Sequence, residues 1–271
     1  MSGIKAAFAT AHRERRAAFI PFLMAGDPDP ARTPGLCQAL ARAGADIIEL
    51  GVPFSDPLAD GPTIQRAALR ALAAGGGLGR SLELAARVRQ GAGVPVVLFT
   101  YYNPILRMGE KLFAERAAGA GVDGVLVTDL PPEESSTLDR LLHDAGIDPI
   151  RLLAPTSTPA RMQAAARGRG FVYYISRTGV TGQRESLPPN LEAELARVRS
   201  VIPLPVAVGF GISTAAQAAE AARMADGVVV GSALVTVVER GLDARGVPGN
   251  DPEATLEREA RRLRDAMVIQ A

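Results

Sequence analysis

The chain has 271 residues, 47% of them hydrophobic, which is enough to bury a sizeable core and too apolar for a disordered polypeptide. Thirty Lys and Arg against 29 Asp and Glu leave a formal charge of +1, so no global excess draws the chain to nucleic acid or to an anionic membrane. One cysteine, Cys37, excludes an intramolecular disulfide framework, and two distant histidines, His12 and His143, leave no zinc-type ligand cluster. Acid–base chemistry therefore falls to carboxylates, tyrosines or lysines.

Residues 2–13 read as a leading helix with a packing role. The apolar run 18–24 follows basic residues, as in a signal peptide, but Pro21 interrupts it and Ala25-Gly26-Asp27 lacks a small-x-small cleavage pattern. A buried first strand is the better reading. A helix over 31–43 follows, then a strand over 46–50, a helix over 63–73, a glycine joint at Gly75 to Gly79, and a helix over 81–90. Strands at 94–101, 122–127, 149–153, 171–175, 205–208 and 226–230 then alternate with helices at 110–118, 133–144, 159–167, 191–200, 214–223 and 253–268. Thr158-Pro159 and Ser213 mark helix starts, and Gly44, Gly119 and Gly146 mark helix ends.

The strands are continuously apolar and not alternating, which implies burial on both faces and parallel pairing through helical crossovers. About eight strand–helix units fit a closed (β/α)8 TIM barrel; a doubly wound sheet would carry a glycine fingerprint in its first turn, where this chain has Ala25-Gly26-Asp27-Pro28. The expectation is one barrel domain over 1–271 with an extra N-terminal helix. No apolar stretch approaches the ~18 to 20 residues of a membrane helix, so a soluble, cytoplasmic protein is expected.

Barrel active sites form at the carboxyl ends of the strands. Glu49 sits one residue from the end of an apolar strand, on the side shared with Ile47, where desolvation would raise its pKa and suit it to both taking and giving a proton. The loop from Gly51 to Pro62, stiffened by Pro53, Pro57 and Pro62, brings Asp56 and Asp60 toward it. Three acids could hold magnesium, but two carboxylates with divided roles are more economical, and no metal is expected. Gly179 to Gly182, Gly209 to Gly211 and Gly231-Ser232 follow three successive late strands, where barrel enzymes bind phosphate through backbone amides and the start of a short helix.

The stretch Ile48-Glu49-Leu50-Gly51-Val52-Pro53-Phe54-Ser55-Asp56-Pro57-Leu58-Ala59-Asp60-Gly61-Pro62 resembles the signature of the tryptophan synthase alpha chain family. The likeness extends to Phe19-Ile20-Pro21-Phe22, Tyr102-Asn103-Pro104, Asp129-Leu130-Pro131, Ser176 to Gly182 and Gly209 to Ile212. It implies a lyase that cleaves indole-3-glycerol phosphate to indole and glyceraldehyde 3-phosphate. It also implies a beta-chain partner carrying pyridoxal phosphate, which joins indole to serine within an alpha2beta2 heterotetramer, and no cofactor in this chain.

By that resemblance Glu49 does the acid–base work and Asp60 accepts the indole N–H and stabilises the protonated ring. Phosphate falls to Gly182, Gly211, Gly231 and Ser232. Phe22, Phe99, Tyr101, Leu126, Thr128, Asp129 and Phe210 line the indole pocket or its rim, with barrel filling the alternative for the apolar ones. Tyr173 either positions the substrate or fills the core. Phe99 is bulkier and Val229 smaller than the resemblance leads one to expect, which bears on pocket shape. Loops 51–62 and 177–189 are expected to be mobile alone, with Arg177 or Thr181 fastening them when closed and the partner docking near Pro53, Asp56, Asn103 and Pro104. Rival readings are an isomerase or epimerase of ribose-derived phosphates, a non-enzymatic docking subunit, and a stand-alone lyase that releases free indole.

Overall fold

The computed structural model describes residues 3–175, 187–209, 211–243, 246, 249 and 251–268. Eight parallel strands close into a barrel in the order β1-β2-β3-β4-β5-β6-β7-β8. They are β1 Ala18–Met24, β2 Ile48–Gly51, β3 Val96–Thr100, β4 Gly124–Val127, β5 Asp148–Leu153, β6 Val172–Ile175, β7 Val206–Gly209 and β8 Gly227–Val230. Each expected strand is present within two residues. The barrel closes where β1 runs beside β8, with Ala18 opposite Gly227 and Pro21 opposite Val230.

Alternation along each strand divides the apolar residues into two cores. Phe19, Leu23, Ile48, Leu50, Leu98 and Val125 face outward to the helix layer. Ile20, Phe22, Met24, Ile47, Val97, Phe99, Leu126, Ile150, Tyr173, Ala207 and Val229 fill the interior. Burial on both faces is the reason these runs are continuously apolar.

The leading helix α1 (Gly3–Arg13) stops the barrel floor, as its packing role requires. Ile4, Phe8 and Ala11 join the interior core, and the Phe8 and Phe171 ring centroids lie 5.4 Å apart. Gly124 and Gly227 leave the space, since a Cβ on them would come within 2.9 Å of Ile4 and 3.0 Å of Phe8 respectively.

The wall helices follow the expected periodicity: α2 Thr33–Arg42, α4 Leu78–Ala92, α6 Glu110–Gly119, α7 Ser136–Asp144, α8 Pro159–Ala166, α9 Leu191–Arg199, α10 Ala215–Met224 and α12 Pro252–Asp265. Three helices are extra to a one-strand, one-helix repeat: α3 Pro62–Ala73 after β2, α5 Tyr102–Met108 after β3, and α11 Ser232–Arg240 after β8. The glycine joint separates α3 from α4, as expected. Helix α5 is absent from the sequence reading because seven residues with Pro104 inside them show too little period to separate from a turn.

Two punctuation marks shift, one by a single residue and the other by two. Thr214, not Ser213, caps α10, with its hydroxyl accepting from the Gln217 amide while Gln217 reaches back. Gly119 closes α6 from inside, and it is Gly121 that takes the left-handed conformation, φ 71°. Among the described residues no helix is long and apolar enough to cross a membrane.

Candidate active site

Glu49 and Asp60 meet at the carboxyl end of the barrel. Glu49 sits in β2 opposite Phe22 of β1 and Val97 of β3, on the interior face shared with Ile47, and is 1% exposed. Its Oε1 is buried and accepts no hydrogen bond. Burial first, and the neighbouring Asp60 charge second, push its pKa up to about 8. At neutral pH this carboxyl holds a proton that it can give.

Asp60 is also buried, and burial pushes its pKa up to about 7. It differs in having a partner, because the Tyr101 hydroxyl donates to its carboxylate and so favours ionisation. Tyr101 stands one residue beyond β3, and its hydroxyl also accepts from the Ala59 amide at 3.1 Å. The Asp60 carbonyl accepts Gln65 Nε2 at 2.8 Å, and the Phe54 ring packs on Tyr101 with centroids 5.3 Å apart. The two ends of loop 51–62 are thereby anchored, whereas Ser55, Asp56 and Leu58 at its tip are exposed. Reading the sequence placed Tyr101 only as a pocket-lining residue; its hydrogen bonds to the loop are visible only once β3 and the loop are brought together.

Asp56 is a correction. It lies in the solvent-exposed loop tip, beside Ser55 Oγ at 3.4 Å, and Asp60 is the one carboxylate that raises Glu49. Two acids converge and not three. Among the described residues no cluster of three His, Cys, Asp or Glu could hold a metal ion. Prolonged EDTA treatment is expected to leave the rate of the reaction catalysed here unchanged; a loss restored by magnesium would show that a metal takes part.

Beside Glu49, Phe22 and Phe99 meet edge to face, with centroids 5.6 Å apart and an interplanar angle of 81°, and Leu126 and Val229 are buried in the same interior core. Tyr173 is buried among them, and burial first, then the charges of Glu49 and Asp60, hold its phenol well above the ordinary value. Its hydroxyl lies against Gly209, where a Cβ would come within 2.2 Å of it. Thr128 and Asp129 belong to the rim: Thr128 Oγ1 donates to the Thr100 carbonyl, and exposed Asp129 accepts the Tyr102 amide at 2.7 Å, capping α5. That cap fixes α5, which carries exposed Asn103 with Pro104 beside exposed Leu106. Pro53 is buried against the glycine joint, since a Cβ on Gly76 would meet it at 3.0 Å.

Gly231 is the N-cap of α11 and Ser232 its first residue, with no side-chain cap. Gly211 stands two residues beyond β7 with φ 93°, a conformation that L side chains rarely adopt. Ser176, Arg177, Gly179, Val180, Thr181, Gly182 and Phe210 lie outside the described residues.

Residues 8–266 match the family model described as tryptophan synthase alpha chain. The tryptophan synthase alpha chain of Geobacter sulfurreducens is 53% identical over 241 residues, covering 89% of this chain and 91% of that protein. That of Bordetella parapertussis is 54% identical over 240 residues, covering 88% and 84%. Among solved structures, tryptophan synthase subunit alpha from Legionella pneumophila superposes with a TM-score of 0.90 at 36% identity, covering 98% of each chain. A chain of Mycobacterium tuberculosis tryptophan synthase gives 0.89 at 38% identity, covering 99% of each.

Proposed function

The chain belongs to the tryptophan synthase alpha chain family, a family of lyases, and from that premise we propose how its residues cleave indole-3-glycerol phosphate to indole and glyceraldehyde 3-phosphate. The observation that carries the assignment of roles is the unequal environment of the two carboxylates. Both are desolvated, but Asp60 has the Tyr101 hydroxyl to stabilise its charge, while Glu49 Oε1 has no partner and feels the Asp60 charge. The pair therefore ionises first at Asp60 and keeps its proton on Glu49.

Retro-aldol cleavage needs exactly one such proton donor. Glu49 protonates the indole carbon that bears the side chain and, as the carboxylate, takes the proton of the adjacent hydroxyl as the carbon–carbon bond breaks. Asp60 accepts the indole N–H and stabilises the cationic ring in a site with few other charges. Phe22, Phe99, Leu126 and Val229 hold the ring, and Tyr173 positions it between the acids. The amides at Gly211, Gly231 and Ser232 receive the phosphate, joined in this reading by Gly182, with Phe210 assigned by family resemblance to the pocket or its rim.

Gly231→Val tests the phosphate site. A Cβ there meets Phe22 no closer than 3.6 Å, so the first carbon of a side chain is accommodated, and a thermal melt of the variant separates a folding loss from a loss on the ligand. Affinity for inorganic phosphate, measured by calorimetry, should drop on the order of tenfold, about one charge-assisted hydrogen bond. An unchanged affinity would move the phosphate elsewhere. Gly211→Val is the less clean variant, because φ 93° adds backbone strain of its own.

The family name implies a beta-chain partner. The stoichiometry we propose is alpha2beta2, with pyridoxal phosphate on the beta chain and the assembly in the cytoplasm. The docking surface is the barrel mouth, where exposed Leu58 and Leu106 flank Asp56, Asn103 and Pro104. Binding there would hold the exposed tip of loop 51–62 closed over Asp60, with Arg177 or Thr181 fastening one loop to the other. The isolated chain is expected to release indole slowly and to be accelerated at least about tenfold by saturating beta chain, with Pro53→Gly or Thr181→Ala losing most of that gain. Rapid release unaffected by beta chain would identify a stand-alone lyase.

A further inference from the structure

Two of the three extra helices carry the two halves of the site. Helix α3 opens immediately after Asp60, through Gly61 and Pro62, and α11 opens at Gly231 and Ser232. Both pack on β1 and on each other. Outside the active site a chain of charges joins them. Arg70 of α3 lays its guanidinium across Asp27 in the turn after β1, with Nε 2.6 Å from Oδ1 and Nη2 3.0 Å from Oδ2. Its Nη1 reaches Glu239 of α11 at 2.9 Å, and Arg66, one helical turn earlier, grips both oxygens of Glu239 at 2.7 and 2.8 Å.

The burial of this network is graded. The Asp27 side chain is 3% exposed, Arg70 and Glu239 are 23% and 24% exposed, and Arg66 is 51% exposed. The turn is pressed onto α3 at its other side too, where Gly26, φ 90°, faces Ala71. A planar guanidinium that holds two carboxylates at once fixes both distance and angle, which a flexible ammonium does not. Arg70 is thus tied to β1 on one edge and to α11 on the other.

We infer that Arg70, with Asp27 and Glu239, is a positioning residue that sets the separation between Asp60 at the start of α3 and the phosphate-receiving start of α11. This rests on the phosphate reading of Gly231 and Ser232. A ligand bound at one end only is indifferent to that separation. A ligand that spans both ends depends on it, because its second contact forms only if the first leaves it within reach.

The test compares three ligands on the full chain: inorganic phosphate for the α11 end, indole for the Asp60 end, and indole-3-propanol phosphate, the substrate skeleton without its hydroxyls, for both. In Arg70→Met, shown to be folded by circular dichroism and thermal melting, affinity for the spanning ligand is expected to fall about tenfold and kcat to fall with it. Affinities for phosphate and for indole should each stay within about twofold. Arg70→Lys should recover part of the loss. Glu239→Gln keeps the volume and the Asp27–Arg70 pair, and should show a smaller loss of the same kind should Arg70→Met fail to fold.

An unchanged spanning affinity in a folded variant, or equal losses for all three ligands, would overturn the inference in favour of a purely structural network. If Gly231→Val leaves phosphate binding untouched, the phosphate reading falls and takes this inference with it. If Gly231→Val weakens phosphate but Arg70→Met and Glu239→Gln spare the spanning ligand, only the positioning role falls.

Discussion

Glu49→Gln is expected to abolish cleavage while raising the stability of the folded chain in alkaline solution. The amide keeps the volume of the buried side chain but has no proton to exchange, so the loss should reach at least the ~10² to 10⁴ of one acid–base group. Activity within about tenfold of the unmodified chain would remove Glu49 from the reaction. The stability gain follows from linkage. Glu49 titrates near 8 in the folded chain against an ordinary value of 4.5, so between those pH values the folded state binds more protons than the unfolded state. Stability contributed at this position is therefore intact below 4.5 and is lost as pH rises through about 8. Gln carries no such cost. The variant should melt several degrees above the unmodified chain at alkaline pH, on the order of a few kcal/mol, with the difference closing in acid. Equal melting temperatures across that range would mean that Glu49 is not held protonated.

Asp60→Asn is expected to cost about 10² to 10³ in kcat, because a neutral amide offers no field to the cationic ring. Its pH profile carries the sharper test. In the unmodified chain the competent form has Asp60 ionised and Glu49 protonated, so kcat/KM should rise through about 7 and fall above about 8, values that belong to the pair as much as to either group. The substitution removes the acid limb that belongs to Asp60. It also removes the negative charge that helps to raise Glu49, so the alkaline limb should move to lower pH. An alkaline limb that stays in place would show that burial alone sets the Glu49 proton, and a harmless Asn at 60 would refute the electrostatic role.

Glu49 and Asp60 were legible in the sequence for different reasons. Glu49 interrupts a run of apolar residues at a strand end, and a period of two places it with Ile47 inside the barrel, a local argument that β2 bears out. Asp60 came from its place in a proline-stiffened loop and from family resemblance. The same loop argument drew in Asp56, which the fold leaves in solvent. Asp129 came by the same resemblance and proves to cap α5, a helix whose seven residues were too few to show a period.

The eight strands, nearly all the wall helices and the closing role of α1 follow from the order of residues alone, because apolar period and glycine or proline punctuation act over a few residues and need no knowledge of the rest. Which carboxylate keeps its proton emerges from the folded barrel and not from any local pattern. That depends on β3 bringing the Tyr101 hydroxyl to Asp60 and not to Glu49, so that one of two desolvated acids has its charge stabilised and the other does not. The salt bridges from Asp27 through Arg70 to Glu239 were equally out of reach, since their members stand 43 and 169 residues apart and nothing local marks them as partners. Periodicity is a property of neighbours along the chain, whereas desolvation and charge pairing are properties of neighbours in space.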